Sequence, residues 1–466
     1  MLKQLTFAIA CLIALPSATD AARLKTVVLK KIPHVKQKPD FCGEACAEMA
    51  LKRLGKTFDQ DFVFDQANLN PALGRGCYTK ELAVALKRIG FAIGPVWHTV
   101  KANNNAQLQA EFEKVYKDLK RGVPTIVCTR FDERKNTTEH FRLIVGYREQ
   151  KDEVVYHDPA INRGAYLTMS RAKLLRLWPL KYQRDRWTLI RMPLDPKRLI
   201  RASMTPGYTN ADYAQHVLKL KKRLPKGFHI HIQKPFVLIG DESPNMVVRR
   251  SRATVKWAVD HIKKIYFAKD PKRILDIWLF KDKASYNKHT WELFRDKPGT
   301  PFGYYSSTHQ ALIMNISTGG GTLVHEIVHP FIESNFARCP AWFNEGLASL
   351  YEQCGTKNGR IWGYTNWRLA GLQRAIKAGR VPSFKTLCST STNEFYNRDP
   401  GTNYSQARYL CYYLQREGKL RKFYQEFSRN VARDPTGYRS LQKVLGRKDM
   451  AAFKRDWEKF VLSLKF

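Results

Sequence analysis

Acidic residues are scarce in this 466-residue chain: 41 Asp and Glu stand against 80 Lys and Arg, a formal net charge of +39 at pH 7. A surface of that kind attracts polyanions in a salt-dependent way and carries no information about fold. The basic residues are scattered, with short knots at Lys219 to Lys226 and Lys263 to Arg273. They form no single stripe interleaved with stacking aromatics, and no groove-reading motif occurs, so no specific nucleic-acid partner is expected. Anionic envelope polymers suit such a surface better. Internal repeats and low-complexity tracts are missing, and 22 Pro with 27 Gly exclude a collagen-like chain. With 25 Phe, 21 Tyr and 10 Trp the chain is too aromatic for a disordered polymer, and its length suits two or three folded units.

Long hydrophobic runs are also lacking; none reaches the roughly 20 residues of a membrane-spanning helix. The apolar stretch from Leu5 to Pro16 follows Lys3 and precedes small residues ending at Ala21 and Ala22. It reads as a secretory signal peptide over residues 1–22, and the protein is expected to be exported to a periplasmic or extracellular space without a transmembrane segment. Of nine cysteines, Cys11 leaves with the signal. In an oxidising compartment the other eight are expected in disulfides, with Cys339–Cys354 and Cys388–Cys411 as plausible pairs. If Cys42 is free, Cys46 and Cys77 are natural partners.

The pattern predicts an α+β protein of two unlike domains. Residues 23–195 mix short strands and helices, 196–210 read as a linker, and 211–466 turn mostly helical towards the end. Helices are expected over Phe41 to Leu54 and Thr79 to Ile89, each stopped by a glycine. Strands are expected over Thr125 to Thr129, Phe141 to Tyr147, Glu153 to His157 and Trp187 to Met192. In the second domain a helix over Ala211 to Leu224, a strand pair around His229 to Ile239, one long helix over Pro244 to Phe267, and strands Ile274 to Phe280 and Ala311 to Ile316 follow.

His325-Glu326-Ile327-Val328-His329 lies in an apolar stretch from Thr322 to Ile332. Four residues turn a helix by about 400°, so both imidazoles project from nearly one face and can share an ion. Glu326 is placed to act as general base on a water activated by zinc. A third ligand is available in Trp342-Phe343-Asn344-Glu345-Gly346-Leu347-Ala348, where Glu345 opens an amphipathic helix. Two His and one Glu with an open fourth position make a hydrolytic zinc site. Pro330 is expected to kink or end the helix. The stretch resembles the gluzincin metallopeptidases, the thermolysin-like clan, and especially peptidase MA-like domains sharing an N-E-G-hydrophobic-A element, over roughly residues 205 to 466. The resemblance implies zinc on His325, His329 and Glu345, and Glu326 as base. It also implies a substrate strand paired with Leu312-Ile313-Met314-Asn315 and, as a weaker candidate for the oxyanion, Tyr404.

A second constellation begins at Gln37-Lys38-Pro39-Asp40-Phe41-Cys42-Gly43-Glu44-Ala45-Cys46. Cys42 stands where loop gives way to helix, so the helix dipole favours thiolate. Gly43 lets a substrate backbone approach, and Gln37 can bring an amide to an oxyanion. His140 begins one strand and Asp158 ends the next, which supplies a base and an orienter if the strands pair antiparallel. His157 is an alternative base, aimed at the opposite face. The order Gln, Cys, His, Asp resembles papain-like cysteine peptidases of the bacteriocin-processing, double-glycine type over about Val27 to Pro193, including Gly122-Val123-Pro124. That likeness implies Cys42 as nucleophile, His140 as base, Asp158 as orienter and Gln37 as oxyanion donor. The expected function is an exported two-domain peptidase acting on peptides or proteins. The alternative is an envelope- or peptide-binding protein in which only the zinc domain is active.

Overall fold

The computed structural model describes residues 24–201 and 207–466. The expected signal peptide, Cys11 and residues 202–206 of the expected linker lie outside the described residues. Among the described residues, no helix is long and apolar enough to cross a membrane. The chain divides into two compact units: one is the chain up to Leu69 with Arg75–Ala211, the other Asn70–Gly74 with Asp212–Phe466.

The first unit is built on a seven-stranded antiparallel sheet. Its strands are β1 (Val27–Val28), β2 (Trp97–Lys101), β3 (Thr125–Arg130), β4 (Glu139–Arg148), β5 (Glu153–His157), β6 (Leu167–Ser170) and β7 (Arg186–Pro193), in the order β2-β7-β3-β4-β5-β6 with β1 paired to β4. β4 is buried from His140 through Tyr147, so it reads as a continuous run and lacks the alternation of a half-exposed strand. The helix α1 (Cys42–Arg53) packs its buried face, Gly43 to Leu51, inside this unit. A Cβ on Gly43 would lie 2.5 Å from Leu82 of α2 (Thr79–Ile89) and 3.1 Å from Phe141 of β4. The close neighbour this glycine admits is therefore the protein's own core. Phe91–Ala92 pairs with Asp195–Pro196, and the N–H groups of Arg198 and Ile200 donate to the carbonyls of Gly90 and Ile89. Hydrogen bonding of the first unit thus extends into the stretch read as linker.

The second unit has a five-stranded mixed sheet of β8 (His229–Gln233), β9 (Phe236–Gly240), β10 (Leu275–Phe280), β11 (Gly303–Ser306) and β12 (Ala311–Asn315), in the order β8-β9-β10-β12-β11. β12 is paired on both sides, parallel to β10 and antiparallel to β11, with Leu312 opposite Ile277 and Tyr305. The expectation that Leu312 to Asn315 receive a substrate strand is corrected: their hydrogen-bonding edges are taken, and the edge strand on that side of the sheet is β11. The long helix expected over 244–267 is broken into Pro244–Arg250, a π-helical stretch Ser251–Lys256 and Trp257–Ile265. Thr254 in the wide turn packs against Gly320, just ahead of the next helix.

That next helix, α3 (Gly321–Asn335), carries the paired histidines and continues through Pro330. Proline removes one N–H and crowds the preceding turn, yet Pro330, Phe331 and Ile332 are buried beyond it, so tertiary packing holds the geometry. α4 (Ala341–Leu350) follows; its Phe343 and Leu347 are fully buried, worth about 2 kcal/mol each in transfer free energy. α5 (Thr392–Asn397) and α6 (Pro400–Arg416) complete the part that matters for the site.

All eight described cysteines are free thiols, which corrects the expected disulfides. Cys388 and Cys411 sit in the apolar core of the second unit, and Cys339 and Cys354 pack against it. The Cys46 thiol is turned to the Phe141 carbonyl, 3.7 Å away, while burial pushes Cys77 up beside Glu44. These thiols act as small core residues.

Candidate active sites

In the first unit Cys42 is the first residue of α1, with Phe41 preceding the helix. Burial pushes its thiol up to about 12; the backbone N–H of Phe141 works against this, and the Glu44 and Asp40 carboxylates add to it. The helix-terminus argument for a preformed thiolate is therefore outweighed. His140, on β4, and Asp158, just past β5, come together because the two strands pair antiparallel, Leu143 opposite His157. His140 Nε2 lies 2.8 Å from Asp158 Oδ1, and both residues are buried. Arg142 Nε donates to Asp158 Oδ2 at 3.0 Å, and the Ala160 N–H donates to Oδ1 at 2.9 Å. Arg142 is itself fixed by Thr129 Oγ1 and by the carbonyls of Arg130 and Phe131. Burial opposes ionisation of Asp158, but the bonds from His140 and Arg142 hold its carboxyl below the usual range.

Gln37 donates its backbone N–H to the Pro159 carbonyl at 3.0 Å, beside Asp158, and its side-chain Oε1 is buried without a partner. His157 faces His34 and Tyr166, both its nitrogens lack hydrogen bonds, and burial, with His34 adding, lowers it to about 4. Glu44, two residues after Cys42, is fully buried; its Oε1 accepts the Cys77 N–H at 2.7 Å and its Oε2 has no partner. Burial pushes Glu44 up to about 7.

In the second unit His325, Glu326 and His329 lie on α3 and Glu345 on α4. The donor atoms of His325, His329 and Glu345 all lie within 4.8 Å of one another. His325 Nε2 is 3.2 Å from Glu345 Oε2, and His329 Nε2 is 3.9 Å from both Glu345 Oε1 and Glu326 Oε2. The other ring nitrogens face outward: His329 Nδ1 is 2.9 Å from Asn344 Oδ1, and His325 Nδ1 is 3.4 Å from Glu352 Oε1. The latter is an ion-pair distance without hydrogen-bond alignment. Arg368 grips Glu352 with Nε and Nη2 at 3.0 and 2.8 Å, and Asn366 donates to it at 3.0 Å. Gly321 permits this: a Cβ there would lie 2.0 Å from the Glu352 carbonyl.

The two Nε2 atoms thus converge on a carboxylate, and Glu345 Oε2 is a buried oxygen without a hydrogen bond. That donor set and that orphaned oxygen fit a divalent cation of the zinc type. Glu345 is held down to about 2, His325, His329 and Tyr396 overcoming its burial. The cluster opens into a cleft of about 440 Å³ bordered by Tyr305, Glu333, Tyr396 and Tyr404. Tyr396 donates to Glu345 Oε1 at 2.5 Å. Tyr404 packs 6.1 Å from the Tyr396 ring and has the Arg368 guanidinium over its own face.

Residues 29–184 match the model of the Peptidase_C39 like family. The match covers the stretch holding Gln37, Cys42, His140 and Asp158, about a third of the chain, and makes that region similar to a cysteine-type peptidase. Solved structures also match, among them the crystal structure of the peptidase domain of Streptococcus ComA, a bi-functional ABC transporter involved in quorum sensing. That match has 16% identity and a TM-score of 0.23, over 34% of this chain and 98% of that one. No curated protein matches.

Sequence reasoning gave no role to Arg142, Glu352, Arg368 or Tyr396. The first was accessible, since residues two apart on a strand share a face and His140 was already singled out. Glu352 lies in the turn just past the end of α4, where helical spacing gives no signal. Tyr396 had no local signal, because only the packing of α5 brings it to Glu345.

Proposed function

We propose that the chain is a peptidase with two independent sites, a zinc-dependent one in the second unit and a cysteine-type one in the first. The observation that carries the metal reading is the convergence of His325, His329 and Glu345, with His329 Nδ1 bonded to Asn344 and His325 Nδ1 at ion-pair distance from Glu352. His325, His329 and Glu345 would hold zinc, whose Lewis acidity would serve to activate a water and polarise a carbonyl. Glu326, one residue from the first ligand, takes the proton and returns it to the leaving amine. Tyr404 supplies a hydroxyl to the developing oxyanion, while Tyr396 spends its single O–H on fixing Glu345. Glu352, clamped by Arg368 and Asn366, orients His325, as Asn344 orients His329.

In the first unit the family match and the His140–Asp158 pair support thiol chemistry. Because the Cys42 thiol is protonated at neutral pH, proton transfer to His140 accompanies attack on the substrate carbonyl instead of preceding it. Asp158, held ionised by Arg142, steadies the imidazolium that results, and the Gln37 amide together with the Cys42 N–H receives the oxyanion. Chelator and thiol reagent, applied separately to the pure protein on a library of unfolded peptides, test the proposal. Each is expected to remove its own subset of cleavages, and if neither does so the proposal falls.

The raised Cys42 thiol favours a second reading, in which the first unit binds peptides without cutting them. Alkylation by iodoacetamide separates the two. In the binding-only case Cys42 reacts slowly below pH 9 with or without peptide. In the catalytic case a peptide aldehyde, which mimics the tetrahedral state, forms a reversible adduct on Cys42 at pH 7.

A further inference from the structure

The continuation of α3 through Pro330 adds more than a turn of helix beyond the second histidine, and that turn walls the zinc cleft. His325, His329 and Glu333 are spaced four apart, so each is rotated about 40° from the last along one side of the helix. Glu333 borders the cleft, is exposed to solvent, and forms no hydrogen bond or ion pair with the described residues. Its charge is felt at Tyr305, which lines the same cleft from β11, as is that of Arg273, which does not pair with it. In a chain with 80 basic residues, an acid without a partner at the mouth of a binding cleft stands out. The three carboxylates around the cleft differ in duty. Glu345 is committed to the metal set and Glu326 to the reacting water, which leaves Glu333 uncompensated. Beside it Ala337 is exposed, and Ile332 and Phe336, largely buried, back the same wall of the cleft, so the lining there is apolar. A long cationic side chain fits both features, laying its methylene stem on the apolar surface and its head against the carboxylate.

We propose that Glu333 is a specificity-determining residue of this cleft, selecting peptides with a Lys or Arg side chain near the scissile bond. The proposal rests on the zinc-peptidase reading of the site. Full-length, zinc-loaded protein is assayed on peptide pairs that differ only in Arg against citrulline, placed in turn at each position around the cleaved bond. At one position the Arg peptide is expected to have a kcat/KM about fivefold higher, the upper range for a pair in contact with water. Glu333→Gln should bring that ratio to about one, and Glu333→Arg should turn the preference towards acidic side chains, compared at equal bound zinc. Equal ratios for the wild type at every position, or a ratio that Glu333→Gln leaves in place, overturn the proposal. The same pairs are bound to zinc-loaded Glu326→Gln protein and followed by fluorescence anisotropy. If no peptide is ever cut, the zinc-peptidase reading fails. The binding ratio, and its loss on adding Glu333→Gln, still decides the role of Glu333.

Discussion

In the thiol site the buried carboxylate that faces His140, Asp158, is met by both Arg142 and His140, whereas around the paired imidazoles only Glu352 of Glu326, Glu345 and Glu352 is paired with a guanidinium, that of Arg368. The first cluster balances its charge with its own side chains. The second gathers three carboxylates around two imidazoles; overcoming its burial, they hold His325 well above the usual imidazole range, and a bound cation would offset their charge in its place. On the proposed reading, the site closed in charge would need a neutral substrate group to trigger proton transfer, and the site open in charge would first need a metal.

The sharpest way to break this contrast is Glu326→Gln. It should keep the bound metal, measured by elemental analysis, and lower chelator-sensitive cleavage by about 10² to 10⁴, the range for a general base, while thiol-sensitive cleavage is unchanged. Cys42→Ala should do the reverse, and loss of both activities in either variant would mean that the sites are not independent.

Next in size is the buried acid beside the nucleophile. Glu44 binds its proton more tightly in the folded protein than in the unfolded chain, so raising the pH from about 4.5 to about 7 favours unfolding. The cost reaches on the order of 3 kcal/mol at neutral pH. Urea unfolding of the wild type should therefore weaken across that window, and Glu44→Gln, which keeps the acceptor for Cys77, should flatten the dependence. A wild-type slope that survives the substitution would assign it to other groups. The smallest effect expected is on the outward side of the metal set. Glu352→Gln should loosen metal binding by about ten- to a hundredfold, read by competition with a chromogenic chelator, with Arg142→Lys in the other unit leaving metal affinity untouched.

Most of the architecture was legible because local signals were strong. Thr79 to Ile89 is a helix with those same ends, Glu153 to His157 is a strand, and the mixed α+β character was readable from period and turn residues. The spacing of His325 and His329 is a property of any helix, so their approach could be read from the chain alone. What escaped was decided by contacts distant in sequence. The π-helical break at Ser251–Lys256, the passage of α3 through Pro330, and the arrival of Tyr396 at Glu345 all depend on partners that no window of sequence contains. The disulfide expectation came from an inferred compartment; the cysteines instead fill apolar space. The thiolate expectation weighed a helix end and left out how deeply Cys42 is set.

β11 forms the rim of its sheet, and Tyr305 from that strand borders the metal cleft. A rim strand can bond only to a chain whose own amides and carbonyls are not engaged elsewhere. A natively folded protein has few such segments to offer, whereas a damaged, nascent or freshly clipped one has many. Under the proposed peptidase reading, with substrate pairing along β11, admission to this cleft would be governed by the loss of order in the visitor, and intact neighbours would be spared without any need to distinguish them by sequence.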